Sequence, residues 1–103
     1  MTPTAIFHLT SRQHWVEAEA AGSYVRSTVD STLEEVGFIH CCTEDQIPGI
    51  LERYWGGGDP DTVVLTIDPD AVGAEVKVEN GYPHIYGPLP VSAVTDVRPA
   101  LPG

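Results

Sequence analysis

The sequence predicts one α+β domain, with helices packed on a curved, mostly antiparallel sheet of about six strands. Three observations carry that expectation. Two helical segments fall in the first half of the chain and none in the second. The remaining apolar residues form short runs of strand length, some alternating and one nearly continuous. Turn residues such as Gly56-Gly57-Gly58-Asp59-Pro60 and Asp68-Pro69-Asp70 separate those runs. At 103 residues the chain is close to the commonest domain size, so a single domain over 1–103 is expected.

Ala5 to Leu9 (AIFHL) reads as the first strand. Thr10 or Ser11 then offers an N-cap, and SRQHWVEAEAA runs helically to Gly22, a residue suited to a left-handed C-terminal cap. Tyr24 and Val25 suggest a short strand, and STVDSTLEE a polar loop. Val36 to Cys41 (VGFIHC) reads as the next strand. Thr43 and Gln46 make a capping box, behind which Ile47, Ile50, Leu51 and Tyr54 share one helical face. The glycine-rich turn at 56–60 is not a phosphate loop, because no Lys-Ser/Thr follows it. Thr62 to Ile67 (TVVLTI) is apolar enough for a central strand. Glu75 to Glu79 (EVKVE) alternates, which predicts Val76 and Val78 facing inward. A Gly-Tyr-Pro turn leads to His84-Ile85-Tyr86, and Ala93 to Val97 is expected to be the last strand.

Fifteen acidic residues oppose five bases, for a formal charge of −10. Nucleic-acid binding rests on clustered Lys and Arg neutralising phosphates, so a polynucleotide partner is not expected. A small anion could still be held by one or two arginines and a helix N-terminus. No run of 18 apolar residues occurs, which argues against a membrane-spanning helix. The N-terminus has no basic segment followed by a long apolar stretch, and Cys41 and Cys42 are adjacent, pointing to opposite faces of a strand. A cytoplasmic, reducing location is therefore expected.

Three of the four histidines lie in or beside strands: His8 in IFHLT, His40 in GFIHCC and His84 in YPHIYG. By the period of two, each points away from its apolar neighbours, and Tyr86 shares the His84 face. Together they can form a polar cleft, the bland alternative being three surface or structural histidines. Removal of a cleft residue such as His8 is then expected to spare stability. Glu79, at the end of its strand, can bond a ribose hydroxyl or stabilise developing positive charge. Cys42, two residues beyond His40, offers a Cys–His nucleophilic pair that lacks an orienting group. Trp15 and Trp55 read as packing residues, and His14 as solvent-facing.

The strings IFHLT, GFIHCC followed by TEDQ, and YPHIYGPLPVSAV, with Trp15 between the first two, resemble the bacterial family known as domain of unknown function 952. The resemblance runs from about residue 5 to 97. It implies small cytoplasmic proteins whose fold is similar to that of ADP-ribosyltransferases, two curved sheets gripping NAD between them. In that superfamily a first-strand His touches a ribose, a later strand supplies Tyr, Ser or His, and a further strand supplies Glu. His8 matches the first and His40 the second, as in the two-histidine RNA 2′-phosphotransferase branch. Glu79 matches the third, and His84 with Tyr86 belongs to the family's own motif. The resemblance thus implies an NAD-type nucleotide-binding cleft used for ADP-ribosyl transfer. Its catalytic residues would be His8, His40 and Glu79, and its nucleotide contacts His8, Thr10, Arg12, His40, His84 and Tyr86. In this reading Thr10 and Arg12, at the helix start, receive the pyrophosphate. Two alternatives stand beside it: a histidine-based zinc or iron site, and a catalytically silent module of the same fold.

Overall fold

A computed structural model describes residues 5–27, 31–55 and 61–100, apart from the side chains of Tyr54 and Trp55. The expected turn at 56–60, the packing of Trp55 and the Tyr54 end of the helical face lie outside the described residues. Strand β1 (Ile6–Ser11) leads into helix α1 (Arg12–Ala21), then β2 (Ser23–Tyr24), α2 (Leu33–Val36), β3 (Ile39–His40) and α3 (Ile47–Trp55). The second half is β4 (Thr62–Ile67), β5 (Val76–Glu79), β6 (Tyr82–Ile85), β7 (Leu89–Pro90) and β8 (Val94–Pro99). The class is α+β with antiparallel pairing, as expected, but the described residues hold eight strands and three helices rather than six and two. Two three-stranded sheets, ordered β1-β4-β8 and β3-β6-β5, are joined by a bridge from Phe7 to Cys42, and β2 pairs with β7.

The cap chemistry explains the helices. The Ser11 hydroxyl accepts the His14 N–H at 3.2 Å, settling the N-cap of α1, and Gly22 closes it at φ 90°. Gln46 accepts the Thr43 N–H at 2.8 Å, and a single 3-10 turn, Glu44–Gln46, leads into α3. A second box lay unread in the sequence. The Thr32 and Glu35 side chains each bond the other's N–H, and Gly37 caps the far end at φ 97°. That box makes 33–36 helical and cuts the expected Val36–Cys41 strand down to Ile39–His40.

The turn between β5 and β6 is Asn80-Gly81 rather than Gly-Tyr-Pro, with φ of 55° and 83° and Glu79 paired to Tyr82. Two positive φ values in a two-residue connection are the hairpin geometry that Asn-Gly favours. Downstream, Gly87 runs so close to Ala74 that a Cβ there would sit 2.7 Å from the Ala74 Cβ.

β1 and β4 are covered on both faces. Ile6, Val63, Leu65 and Ile67 belong to the larger core with Trp15, Tyr24, Ile39, Ile85 and Leu89. Phe7, Leu9 and Val64 belong to a second core closed by Ile47 and Leu51 of α3, together with Cys42. Alternation along β1 then puts His8 and Thr10 on the Ile6 side, toward the larger core. β5 is an edge strand, and the core ends beneath it. Val76 packs against the larger core, whereas Val78 is 61% exposed, correcting the expectation that both face inward. No described helix is long and apolar enough to cross a membrane.

Candidate functional site

The outer face of the β3-β6-β5 sheet gathers most of the chemistry. Ile39 and Ile85 turn inward, so His40 and His84 turn outward, and the register pairs them directly. On its other side His84 pairs with Lys77, so His40, His84 and Lys77 form one row across three strands. Phe38, two residues before His40 and hence on its face, stacks on His84 at 4.2 Å between ring centroids and meets His40 edge-on at 4.7 Å. The two imidazoles lie 5.3 Å apart at 81°. Tyr86 completes the cluster 5.3 Å from Phe38, with the Lys77 ammonium 5.2 Å from its ring.

Glu79 organises the polar side of this face. Its Oε1 accepts from His84 Nδ1 at 2.8 Å and from the Tyr86 hydroxyl. The Tyr86 bond first, and the His84 bond second, hold its carboxyl below the usual range; the same bond raises the Tyr86 phenol. A carboxylate has no hydrogen to give, so Nδ1 of His84 carries one, and in the neutral ring Nε2 keeps its lone pair. Burial, and next the neighbouring His84, push the His40 imidazole below its ordinary value.

His8 is placed differently. It is 3% exposed, on the core side of β1, and not on the outer face beside His40. Its Nδ1 bonds the backbone carbonyl of His40, and its Nε2 lies 2.7 Å from the Tyr24 hydroxyl. Tyr24 and Thr10 Oγ1 are 2.8 Å apart. Either hydroxyl can donate in isolation, but the His8 ring decides. A carbonyl only accepts, so Nδ1–H donates to it; Nε2 of the neutral ring accepts from Tyr24, and Thr10 donates to Tyr24. Burial keeps that ring neutral, lowering its pKa to about 4 against the opposing effect of the His40 carbonyl. His8 and Thr10 are thus support beneath the site, tying β1 and β2 to the backbone of His40.

Arg12 is elsewhere. It lies at the start of α1, where it lines a groove of about 590 Å³ with Trp15, Glu19, Val91 and Asp96. None of the groove's lining residues belongs to the outer face. The expected pyrophosphate seat at Thr10 and Arg12 is therefore not assembled with the histidine cluster. His14 is half-buried rather than solvent-facing, and its Nδ1 is enclosed without a partner. Cys41 and Cys42 enter the two different cores, as adjacent strand residues must. Cys42 is 2% exposed and burial pushes its thiol up to about 12, which removes the basis for a Cys–His nucleophile. Among the described residues no three His, Cys, Asp or Glu side chains converge as a metal site.

Of the residues singled out from sequence, His40, Glu79, His84 and Tyr86 come together. Phe38 was missed, although its spacing of two from His40 placed it on the same face. Lys77 was not singled out, although alternation along EVKVE puts it on the same face as Glu79.

Relatives share this architecture. The crystal structure of protein CC0527 from Caulobacter crescentus superposes with a TM-score of 0.78 at 33% identity, covering 93% of this chain and 85% of that one. A crystal structure of its double mutant gives 0.75 at 30% identity, with the same coverage. Its solution NMR structure gives 0.75 at 30% identity over 94% of this chain and 84% of that one. A comparison with curated proteins finds no match. Residues 9–97 match the family described as "Protein of unknown function (DUF952)". That match runs from within β1 to within β8 and includes every residue of the outer-face cluster, so the chain belongs to the DUF952 family.

Proposed function

We propose that the open face of the β3-β6-β5 sheet binds an NAD-type nucleotide and uses it for ADP-ribosyl transfer. The observation that carries the reading is the arrangement around Glu79. Tyr86 and His84 hold one of its oxygens, its side chain is 44% exposed, and the His40 imidazole lies 5.3 Å beyond that of His84. A fixed carboxylate of this kind suits a ribose hydroxyl and the positive charge that develops when the bond to nicotinamide breaks. Phe38 and Tyr86 supply apolar surface next to it for a planar ring. On this reading the split antiparallel sheets are those of an ADP-ribosyltransferase-like fold, and the nucleotide contacts reduce to His40, Glu79, His84 and Tyr86. His8 and Thr10 act only through His40. The metal-site alternative finds no support among the described side chains.

The test is a thermal-shift and calorimetric titration with NAD, ADP-ribose and a short RNA at two salt concentrations. At 100 times its dissociation constant a nucleotide should add about 2.7 kcal/mol of stability. RNA should add nothing, because a polynucleotide partner needs clustered bases that a chain of charge −10 lacks. Absence of any shift with NAD and ADP-ribose, or tighter and salt-sensitive RNA binding, would reject the reading.

A further inference from the structure

Resting on that reading, we infer that His84 is the proton acceptor for a hydroxyl nucleophile, water or an alcohol, that attacks the ribosyl carbon. The tautomer argues for it. Glu79 occupies Nδ1, so the basic lone pair of the neutral ring is at Nε2, and no described residue bonds that nitrogen. Tyr86 pins the same Glu79 oxygen, which fixes the ring plane, and Phe38 stacked at 4.2 Å prevents it from flipping freely. A histidine oriented by a carboxylate, with its far nitrogen available, is the arrangement a general base requires.

The nucleophile itself comes from solution. Cys41 and Cys42 are buried with raised thiols, and Lys77 on this face sits 3.7 Å from Glu75. In the step, a bond forms from the acceptor oxygen to the ribosyl carbon while the carbon–nitrogen bond to nicotinamide breaks. Nicotinamide leaves neutral with that electron pair. The acceptor proton moves to His84 Nε2, the Nδ1–H stays with Glu79, and the imidazolium later releases one proton to solvent. His40 helps by remaining neutral, since burial and the adjacent ring oppose its protonation. The charge formed on His84 therefore meets no second imidazolium 5.3 Å away.

Long-range proton–nitrogen NMR spectra of the labelled full chain report the tautomer directly. Neutral His84 should carry its hydrogen on Nδ1, and in Glu79→Ala it should revert to Nε2–H, the form preferred in water. In parallel, nicotinamide release from NAD is followed with water alone and with added glycerol. His84→Gln should cut release by about 100-fold or more, a far larger factor than its effect on ADP-ribose affinity, which the thermal shift reads. Tyr86→Phe is the second variant: it leaves His84 in place but loosens Glu79, and should give a smaller loss. An Nε2–H tautomer in the parent chain, or release unchanged in His84→Gln, would overturn the inference while leaving nucleotide binding intact. A parent chain that binds ADP-ribose but releases no nicotinamide would overturn it too. Failure to bind NAD or ADP-ribose is a distinct result that sinks the nucleotide reading itself.

Discussion

His8 and His84 each hydrogen-bond an oxygen through Nδ1, yet one lies inside the protein and the other on its open face. His8 is on a strand covered from both sides, by the larger core on one and by α3 and its core on the other. His84 is on a strand whose inner face carries Ile85 and whose outer face meets the side chains of Phe38, His40 and Tyr86, which leave its imidazole 12% exposed. The residue type is the same in both regions. What differs is how many faces of the strand the fold buries, and that decides whether an imidazole serves as a clamp or as a reagent.

Mutation should separate the two most sharply at His8. His8→Ala leaves the His40 carbonyl without its donor and the Tyr24 O–H with Thr10 alone, and opens a cavity inside a packed core, costing roughly 3–4 kcal/mol in chemical unfolding. That reverses the expectation that its loss would spare stability. A cost under about 1 kcal/mol would break the comparison.

Acid should act on the same region. The folded-state pKa of His8, about 4, lies below the 6.5 of an exposed histidine. Between those values the unfolded chain binds one more proton than the folded one. Stability from this residue is therefore complete above pH 6.5, falls as pH drops toward 4, and levels off below. The total loss is about 3 kcal/mol. Unfolding curves from pH 7.5 to 4 should show it, and the slope should be shallower in His8→Gln, where His40 and His14 still contribute in the same direction.

Tyr24→Phe is expected to cost about 1–2 kcal/mol, since it removes the hydroxyl between His8 and Thr10 without opening a large cavity. At the small end, His84→Gln should cost about 1 kcal/mol, its side chain being 12% exposed, and Tyr86→Phe should stay within about 0.5 kcal/mol of the parent. Equal costs for Tyr24→Phe and Tyr86→Phe would show that burial is not the variable that separates the regions.

Much of the outer face was legible in the sequence, because a period of two suffices to put His40 opposite Ile39 and His84 with Tyr86 opposite Ile85. The same rule failed at His8. It said that His8 and Phe7 face opposite ways, but not that α3, some 40 residues on, would cover the Phe7 side and leave the His8 side to the larger core. Two-sided burial is a long-range fact. Local misses had local causes. The Thr32–Glu35 box lay in a stretch read as loop, and the Asn80-Gly81 turn was passed over for the proline beside it. Val78 shows the limit of alternation on an edge, where the pattern continues past the end of the core. α1, α3 and β4 followed from caps and apolar spacing alone.

The close approach of Gly87 to Ala74 makes those two positions partners in what the sequence can tolerate. The strand carrying His84 ends at Ile85, two residues before Gly87, so a methyl group there has to push aside either the segment that follows that strand or the chain at 74. Gly87→Ala should therefore be poorly tolerated by itself and largely rescued when Ala74→Gly removes the opposing carbon. Two substitutions, each unremarkable as a swap of small residues, would then be acceptable only in one order: 74 first, 87 second.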